Sequence, residues 1–205
     1  MLANPDPDAA LMLRVKRGDR AAFVALVEKY KQPLHNFIHR TLRDETEAED
    51  LAQNVFLQVY KSRGRYQRTA KFSTWLFTIA RNLCLNELRR RYRHPAESIE
   101  ETQAENESRE GATQRQYEDK SQMAPPEKLL QGELAQKIEE ALAGLPENQR
   151  SAILLCRQED LSYEEIAEVL DCSLSATKSL IHRGRETLKE KLKRYLSTGD
   201  WHEPK

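Results

Sequence analysis

Apolar residues recur every three or four positions through most of this chain, and the rhythm breaks once, near the middle. Phe23, Leu26, Val27, Tyr30, Leu34, Phe37 and Ile38 mark one face of a helix, which Pro33 is expected to kink or end locally. Asp44 followed by Glu47 is a cap-like pair that starts a second helix, striped with Ala48, Leu51, Ala52, Val55, Phe56 and Val59. A basic loop from Lys61 to Lys71, containing Gly64, leads to a third helix. Ser73 is expected to cap it, and Trp75, Leu76, Ile79, Ala80, Leu83 and Leu88 share one side. Periodicity resumes with Leu129, Leu130, Leu134, Ile138, Ala141 and Leu142. Leu145-Pro146 opens a further helix through Leu155, and two more follow at 163–170 and about 174–195, with a very short turn between them. No strand-like alternation interrupts these helices. The pattern predicts an all-α protein of two small helical domains, 1–93 and 128–197, with a tail at 198–205.

Between the domains, residues 94–127 lose the helical period and turn rich in Glu, Gln and Ser, ending at Pro125-Pro126. Such composition buries too little apolar area to offset chain entropy, so a long, flexible, acidic linker is expected, a tether that keeps the domains apart. The formal net charge of +0 conceals an asymmetry: residues 1–93 carry +8, residues 94–127 carry −6 and residues 128–205 carry −2. At a Debye length of roughly 10 Å, local charge decides association more than the total does. The basic first domain therefore remains a candidate for nucleic acid.

Cys84, Cys156 and Cys172 show no CxxC spacing, which fits small buried apolar residues in a reducing cytosol. No apolar run approaches the roughly 20 residues that span a bilayer, and Met1 to Asp8 lack a signal-peptide core. A cytoplasmic location is expected.

The sharpest local signal lies between Leu161 and Arg185. Ser162 and Glu165 form a capping box for a short helix with Ile166, Ala167 and Leu170 facing inward. The small Ala167 permits a close, steep crossing, and Asp171 takes the turn position where glycine is usual. Ser173 caps the next helix. This is a helix-turn-helix whose second helix offers Ser175, Ala176, Lys178, Ser179, His182, Arg183 and Arg185 outward, while Leu174, Thr177, Ile181 and Leu188 pack. Short polar residues followed by basic ones suit base-edge reading and phosphate clamping in a major groove. Ser173 and Thr177 join the candidate DNA contacts there.

Farther upstream, aromatic residues precede the basic run Arg89, Arg90, Arg91 and Arg93. Arginines neutralise phosphates, and Phe72, Trp75 or Phe77 could stack on or wedge unpaired bases, a contact worth about 1–3 kcal/mol per base. Trp75 reads first as core, whereas Tyr66 and Phe72, near a loop, are the better candidates for exposed aromatics. Asn82 and Asn86 project from one helix face toward base edges. Arg65 and Lys71 extend this basic surface. Alone, these residues indicate a module for single-stranded or melting DNA.

In order, AFVALVEKYKQPLHNFIHRTLRD, EAEDLAQNVFLQVYKS, FSTWLFTIARNLCLNELRRR and LPENQRSAILLCRQEDLSYEEIAEVLDCSLSATKSLIHRGRETLKEKL closely resemble the extracytoplasmic-function (ECF) sigma factors. The resemblance covers nearly the whole chain outside its termini and linker. It implies a factor that binds core RNA polymerase and directs it to −10/−35 promoters, in a stress or envelope response. The first domain is then expected to bind and melt the −10 element through the basic loop, Asn82, Asn86, Arg89 and Arg90. The helix bearing Glu47, Glu49, Asp50, Gln53, Asn54 and Phe56 is expected to dock on the polymerase β′ clamp helices. The second domain is expected to read duplex −35 DNA with its last long helix and to touch the β-flap, and the linker to run toward the RNA exit path. An anti-sigma factor, commonly membrane-anchored, is a further expected partner. The recognition helix departs from the family's common Thr-Val-Lys-Ser-Arg-Leu: here it reads Ala176-Thr177-Lys178-Ser179-Leu180-Ile181. A hydroxyl and a phosphate-binding arginine are thereby lost, and the linker is long for the family.

Two other readings compete. A free-standing helix-turn-helix regulator would leave the Phe72–Arg93 segment unexplained. A nuclease using Glu47, Glu49 and Asp50 is disfavoured because no histidine joins them and no glycine-rich phosphate loop is present. No catalytic residue, metal ligand or cofactor is expected.

Overall fold

The computed structural model describes residues 6–67, 70–93, 125–158 and 161–198. Residues 94–124, all of the expected linker but its last three residues, lie outside the described residues. The described residues form two helical domains and contain no strand. The first comprises α1 (Pro7–Lys16), α2 (Arg20–Leu42), α3 (Glu45–Ser62), a short 3₁₀ turn (Arg63–Arg65) and α4 (Phe72–Arg93). The second comprises α5 (Pro125–Ala143), α6 (Glu147–Cys156), α7 (Tyr163–Leu170) and α8 (Leu174–Thr198).

Helix starts follow the side chains at their caps. Asp19 accepts from the Ala22 N–H and Asp44 from the Glu47 N–H, starting α2 and α3. Each such cap is worth about 1 kcal/mol. The stripe on α2 buries Leu26, Tyr30, Leu34, Phe37 and Ile38; that on α3 buries Ala48, Ala52, Val55 and Val59. α4 closes this core with Phe72, Leu76, Phe77, Ala80 and Cys84. Edge-on ring pairs, Tyr30 with Phe72 at 5.3 Å and Phe37 with Phe77 at 5.5 Å, join α2 to α4.

Four sequence expectations change. Pro33 does not end α2, which runs unbroken through it to Leu42. Proline removes one helical hydrogen bond, but flanking Tyr30, Leu34 and Phe37 are all buried, and that packing outweighs the loss. Ser73 does not cap α4: it lies inside the first turn and is buried. The Phe72 N–H donates instead to Asp6 Oδ2 at 2.9 Å, while Asp6 Oδ1 caps α1 by accepting from the Asp8 N–H at 3.0 Å. One carboxylate thus starts two helices. α1, which the apolar period passed over, is held by its buried Asp8, which accepts from Lys29 and Tyr30 at 2.5 Å each. α5 begins at Pro125, inside the stretch expected to be linker; proline's fixed φ suits a first helical turn.

The domains pack together, with α4 against α7 and α2 against α5 and α6, and their buried residues form one continuous core. Polar ties line the seam. Lys71 pairs with Glu165 at 3.1 Å and Arg40 with Glu139 at 2.7 Å. Arg81 donates to the Asn148 side chain at 3.2 Å. Arg150 donates to the carbonyls of Thr41, Ala143 and Leu145 at 3.0–3.1 Å, so one guanidinium holds the α5–α6 turn against α2. The domains are therefore in contact, where the acidic tether was expected to keep them apart.

Candidate nucleic-acid interface

Along α4, Asn82, Asn86, Arg89 and Arg93 are all exposed. Steps of four, three and four residues place them on one face of the helix. Arg89 approaches Asn86 Oδ1 at 3.5 Å, which holds the two side chains beside each other. Arg90 is exposed but pairs with Glu87 at 2.9 Å and Glu47 at 3.4 Å. Arg91 is drawn inward, bridging Glu87, Asp44 and the Leu42 carbonyl, and fastens the end of α4 to the α2–α3 corner. Burial pushes the Glu87 carboxyl up, but hydrogen bonds from Arg90 and Arg91 outweigh it and leave it below the ordinary carboxylate value. Glu47 moves the opposite way: burial raises it, and the Glu87 charge adds to the rise. Arg65 and Lys71 are exposed near the other end of α4, roughly 30 Å from Arg93 at 1.5 Å per helical residue.

The expected exposed aromatics are not exposed. Tyr66 is 3% accessible, Phe72 0% and Phe77 1%. Tyr66 packs on Trp75 at 5.0 Å, and Phe72 meets both Trp75 and Tyr30. Rings of this size bury 150–250 Å² each when packed, and α2 supplies facing aromatics seven residues apart to receive them. Trp75, read first as core, is half-buried and is the most accessible ring of the Phe72–Phe77 cluster. Tyr66 and Phe72 therefore leave the set of residues available to bases.

The helix-turn-helix matches its sequence reading closely. Both halves of the capping box are present: the Ser162 N–H donates to Glu165 at 2.6 Å and the Glu165 N–H to Ser162 Oγ at 3.3 Å. Asp171 adopts the left-handed conformation, φ 52° and ψ 50°, and the Cys172 N–H closes onto the Ala167 carbonyl at 3.1 Å. Ser173 caps α8 by accepting from the Ala176 N–H at 3.2 Å. Ser173, Ser175, Lys178, Ser179, His182, Arg183 and Arg185 are exposed, and Ala176 is half-buried. A shallow open depression runs along this face between Leu174, Ser175, Lys178, Ser179, His182 and Arg183. Thr177 is fully buried; its hydroxyl donates to the Ser173 carbonyl and meets Cys172 Sγ, so it shapes the turn and is withdrawn from DNA. Leu180 is half-buried against the core, so the position that departs from the family's arginine contributes packing.

On α3, Glu49, Asp50, Gln53 and Asn54 form an exposed strip continued by Leu57, which is 55% accessible. Phe56 is half-buried, and Glu47 is turned toward Arg90, away from the strip. Leu57 was missed because an outward leucine lies off the apolar stripe that defines the helix. A second feature was also missed: α2 brings His35 against Glu45 and Glu49. The i,i+4 spacings His35/His39 and Glu45/Glu49 were its only trace in the sequence.

These features define a two-domain helical DNA-binding protein, with a basic asparagine-bearing helix in one domain and a helix-turn-helix in the other. A sigma-70 region 2 model matches residues 26–94 and a sigma-70 region 4 model matches residues 135–188. The RNA polymerase sigma-H factor of Pseudomonas aeruginosa is 35% identical over 195 residues, covering 95% of this chain and 98% of that protein. The ECF RNA polymerase sigma factor SigW of Bacillus subtilis is 33% identical over 180 residues, covering 88% and 94% respectively. The sigma factor RpoE of Bartonella quintana, solved in complex with the anti-sigma factor NepR, shares the fold at a TM-score of 0.62 and 24% identity, over 83% of this chain and 96% of that one. The chain belongs to the sigma-70 family and, within it, to the ECF sigma factors. It is a transcription initiation factor, and this near full-length likeness favours that function over a free-standing helix-turn-helix regulator. Sigma factors are generally not enzymes, and no helix among the described residues is long and apolar enough to cross a membrane.

Proposed function

We propose that this sigma factor divides promoter recognition between residues 1–93 and 128–197, with 94–127 joining them. In this reading α4 engages the −10 element as it melts, through Asn82, Asn86, Arg89, Arg90 and Arg93, with Arg65 and Lys71 on flanking phosphates. The observation that carries it is the single exposed face shared by Asn82, Asn86, Arg89 and Arg93. Amides reach base edges while guanidinium groups neutralise the backbone, and the face needs no repacking to become available. α8 reads duplex −35 DNA with Ser173, Ser175, Ala176, Lys178, Ser179, His182, Arg183 and Arg185.

The α3 strip of Glu49, Asp50, Gln53 and Asn54 docks on the β′ clamp helices of polymerase, with exposed Leu57 as its apolar centre. Glu47 acts indirectly by holding Arg90, and Phe56 supports the strip from below. The second domain touches the β-flap. An anti-sigma factor restrains the chain, a reading supported by the fold shared with the NepR-bound RpoE, and the setting is the cytoplasm during a stress or envelope response.

Runoff transcription with purified core polymerase and a genomic promoter pool tests the proposal. The expected result is a discrete set of transcripts that require this chain. R89A/R90A is expected to abolish promoter opening while leaving core binding intact. Opening that survives this double change moves the −10 contacts elsewhere.

A further inference from the structure

The corner between α2 and α3 carries a cluster that the proposed DNA contacts do not use, although its Glu49 also lies at the edge of the proposed polymerase-docking strip. His35 and His39 lie one turn apart on α2 with their rings stacked parallel, 6.1 Å between centroids and 6° between planes. Glu45 and Glu49 lie one turn apart at the start of α3. The reversal at Arg43, in the left-handed conformation at φ 61°, folds the second pair against the first. His35 Nε2 is 3.5 Å from Glu45 Oε1, and His39 Nε2 is 3.4 Å from the other oxygen of the same carboxylate. Ligand atoms of His35, Glu45 and Glu49 all lie within 4.8 Å of one another.

We propose that His35, Glu45 and Glu49 form a binding site for one divalent transition-metal ion of the zinc class. Zinc takes imidazole nitrogen and carboxylate oxygen at roughly 2.0–2.2 Å in a tetrahedron, whose ligand-to-ligand edges are then about 3.3–3.6 Å. The His35–Glu45 separation is already such an edge, and Glu49, within 4.8 Å of both, would close in on the ion. The donor set selects the metal. Imidazole favours zinc, nickel or copper over magnesium and calcium, which prefer oxygen throughout. His39, on the second oxygen of Glu45, orients that carboxylate, as outer-shell partners of metal ligands commonly do. Ordinary ion pairing accounts less well for the arrangement, since two imidazoles share one carboxylate while a second carboxylate crowds the same point.

An ion here would cross-link α2 to α3 at an exposed corner and stabilise the first domain by mass action. Two of the three cysteines are poor competitors. Cys84 is buried with its thiol pushed up to about 12, and burial also raises Cys156.

The test is calorimetric titration of the purified full chain with ZnCl2, followed by Co²⁺ absorption and thermal unfolding. One saturable equivalent is expected, with a nitrogen/oxygen-type cobalt spectrum and a higher Tm in zinc. H35Q, at a half-buried position, and E49Q, at an exposed one, are each expected to weaken binding by at least about 100-fold, with far-UV circular dichroism unchanged. Failure of zinc to saturate, a thiolate charge-transfer band with cobalt, or unchanged affinity in both variants overturns the site.

Discussion

Asp171 holds φ 52° at the turn of the helix-turn-helix, a conformation that costs a side-chain-bearing residue about 1–2 kcal/mol and aspartate somewhat less. D171G is therefore expected to preserve or raise the Tm, and D171V to lower stability by more than about 1 kcal/mol; thermal unfolding of the pair checks the sign. Glu87 supplies a pH dependence of known direction. Its folded pKa lies below the ordinary value, so the stability it contributes is complete above about pH 4.5 and is lost as pH falls through the folded value. An acid unfolding series should show E87Q with a flatter decline than the parent below pH 4.5. Single residues were legible where chemistry is local. As caps and turn residues, Asp44, Ser162, Glu165, Asp171 and Ser173 act within a few residues of themselves, and in that role each does what its type and spacing imply. Ser73 read as a cap by the same logic, but the group that caps α4 is Asp6, 66 residues away. No local pattern encodes that.

At the scale of elements, the apolar period located the long helices, because each buries a continuous stripe. It missed α1, which is held largely by the buried Asp8 network, and it misjudged Tyr66 and Phe72, whose burial depends on rings contributed by α2 and α4. Adjacency to a loop suggested exposure; Trp75 lies close by in sequence, but Tyr30, which receives Phe72, is 42 residues away and no local pattern shows it. The α6–α8 contact shows how close such packing becomes. A Cβ at Gly184 would stand 2.8 Å from Ile153 Cγ1 and 3.2 Å from its Cδ1. Glycine inside a helix costs roughly 1 kcal/mol relative to alanine, so the close approach explains its presence. G184A should destabilise the second domain by about 1–3 kcal/mol despite the gain in helix propensity. I153A should restore part of that loss when combined with it, since the clashing atoms are gone. Denaturant unfolding of the two singles and the double completes the cycle, and strict additivity contradicts the proposed contact.

For the whole molecule, the seam is closed by contacts of different kinds. The Lys71–Glu165 and Arg40–Glu139 pairs are partly exposed, and such pairs are worth at most about 1 kcal/mol each. Small-angle scattering should show a larger radius of gyration for K71E than for the parent at low salt, with helix content unchanged. Raising NaCl toward about 1 M, where screening acts over roughly 3 Å, should move the parent the same way. An identical radius under all these conditions contradicts a contribution of these ion pairs to closing the seam. Glu165 occupies both sides of this balance, since the carboxylate that takes the Ser162 N–H to begin α7 also receives Lys71 across the seam. Both bonds are exposed, but the first is local to one turn of chain, whereas the second spans two domains. A single side chain thereby serves both folding and posture: it begins the DNA-reading helix pair, and its second bond makes how tightly that pair is stowed against α4 vary with the salt around it.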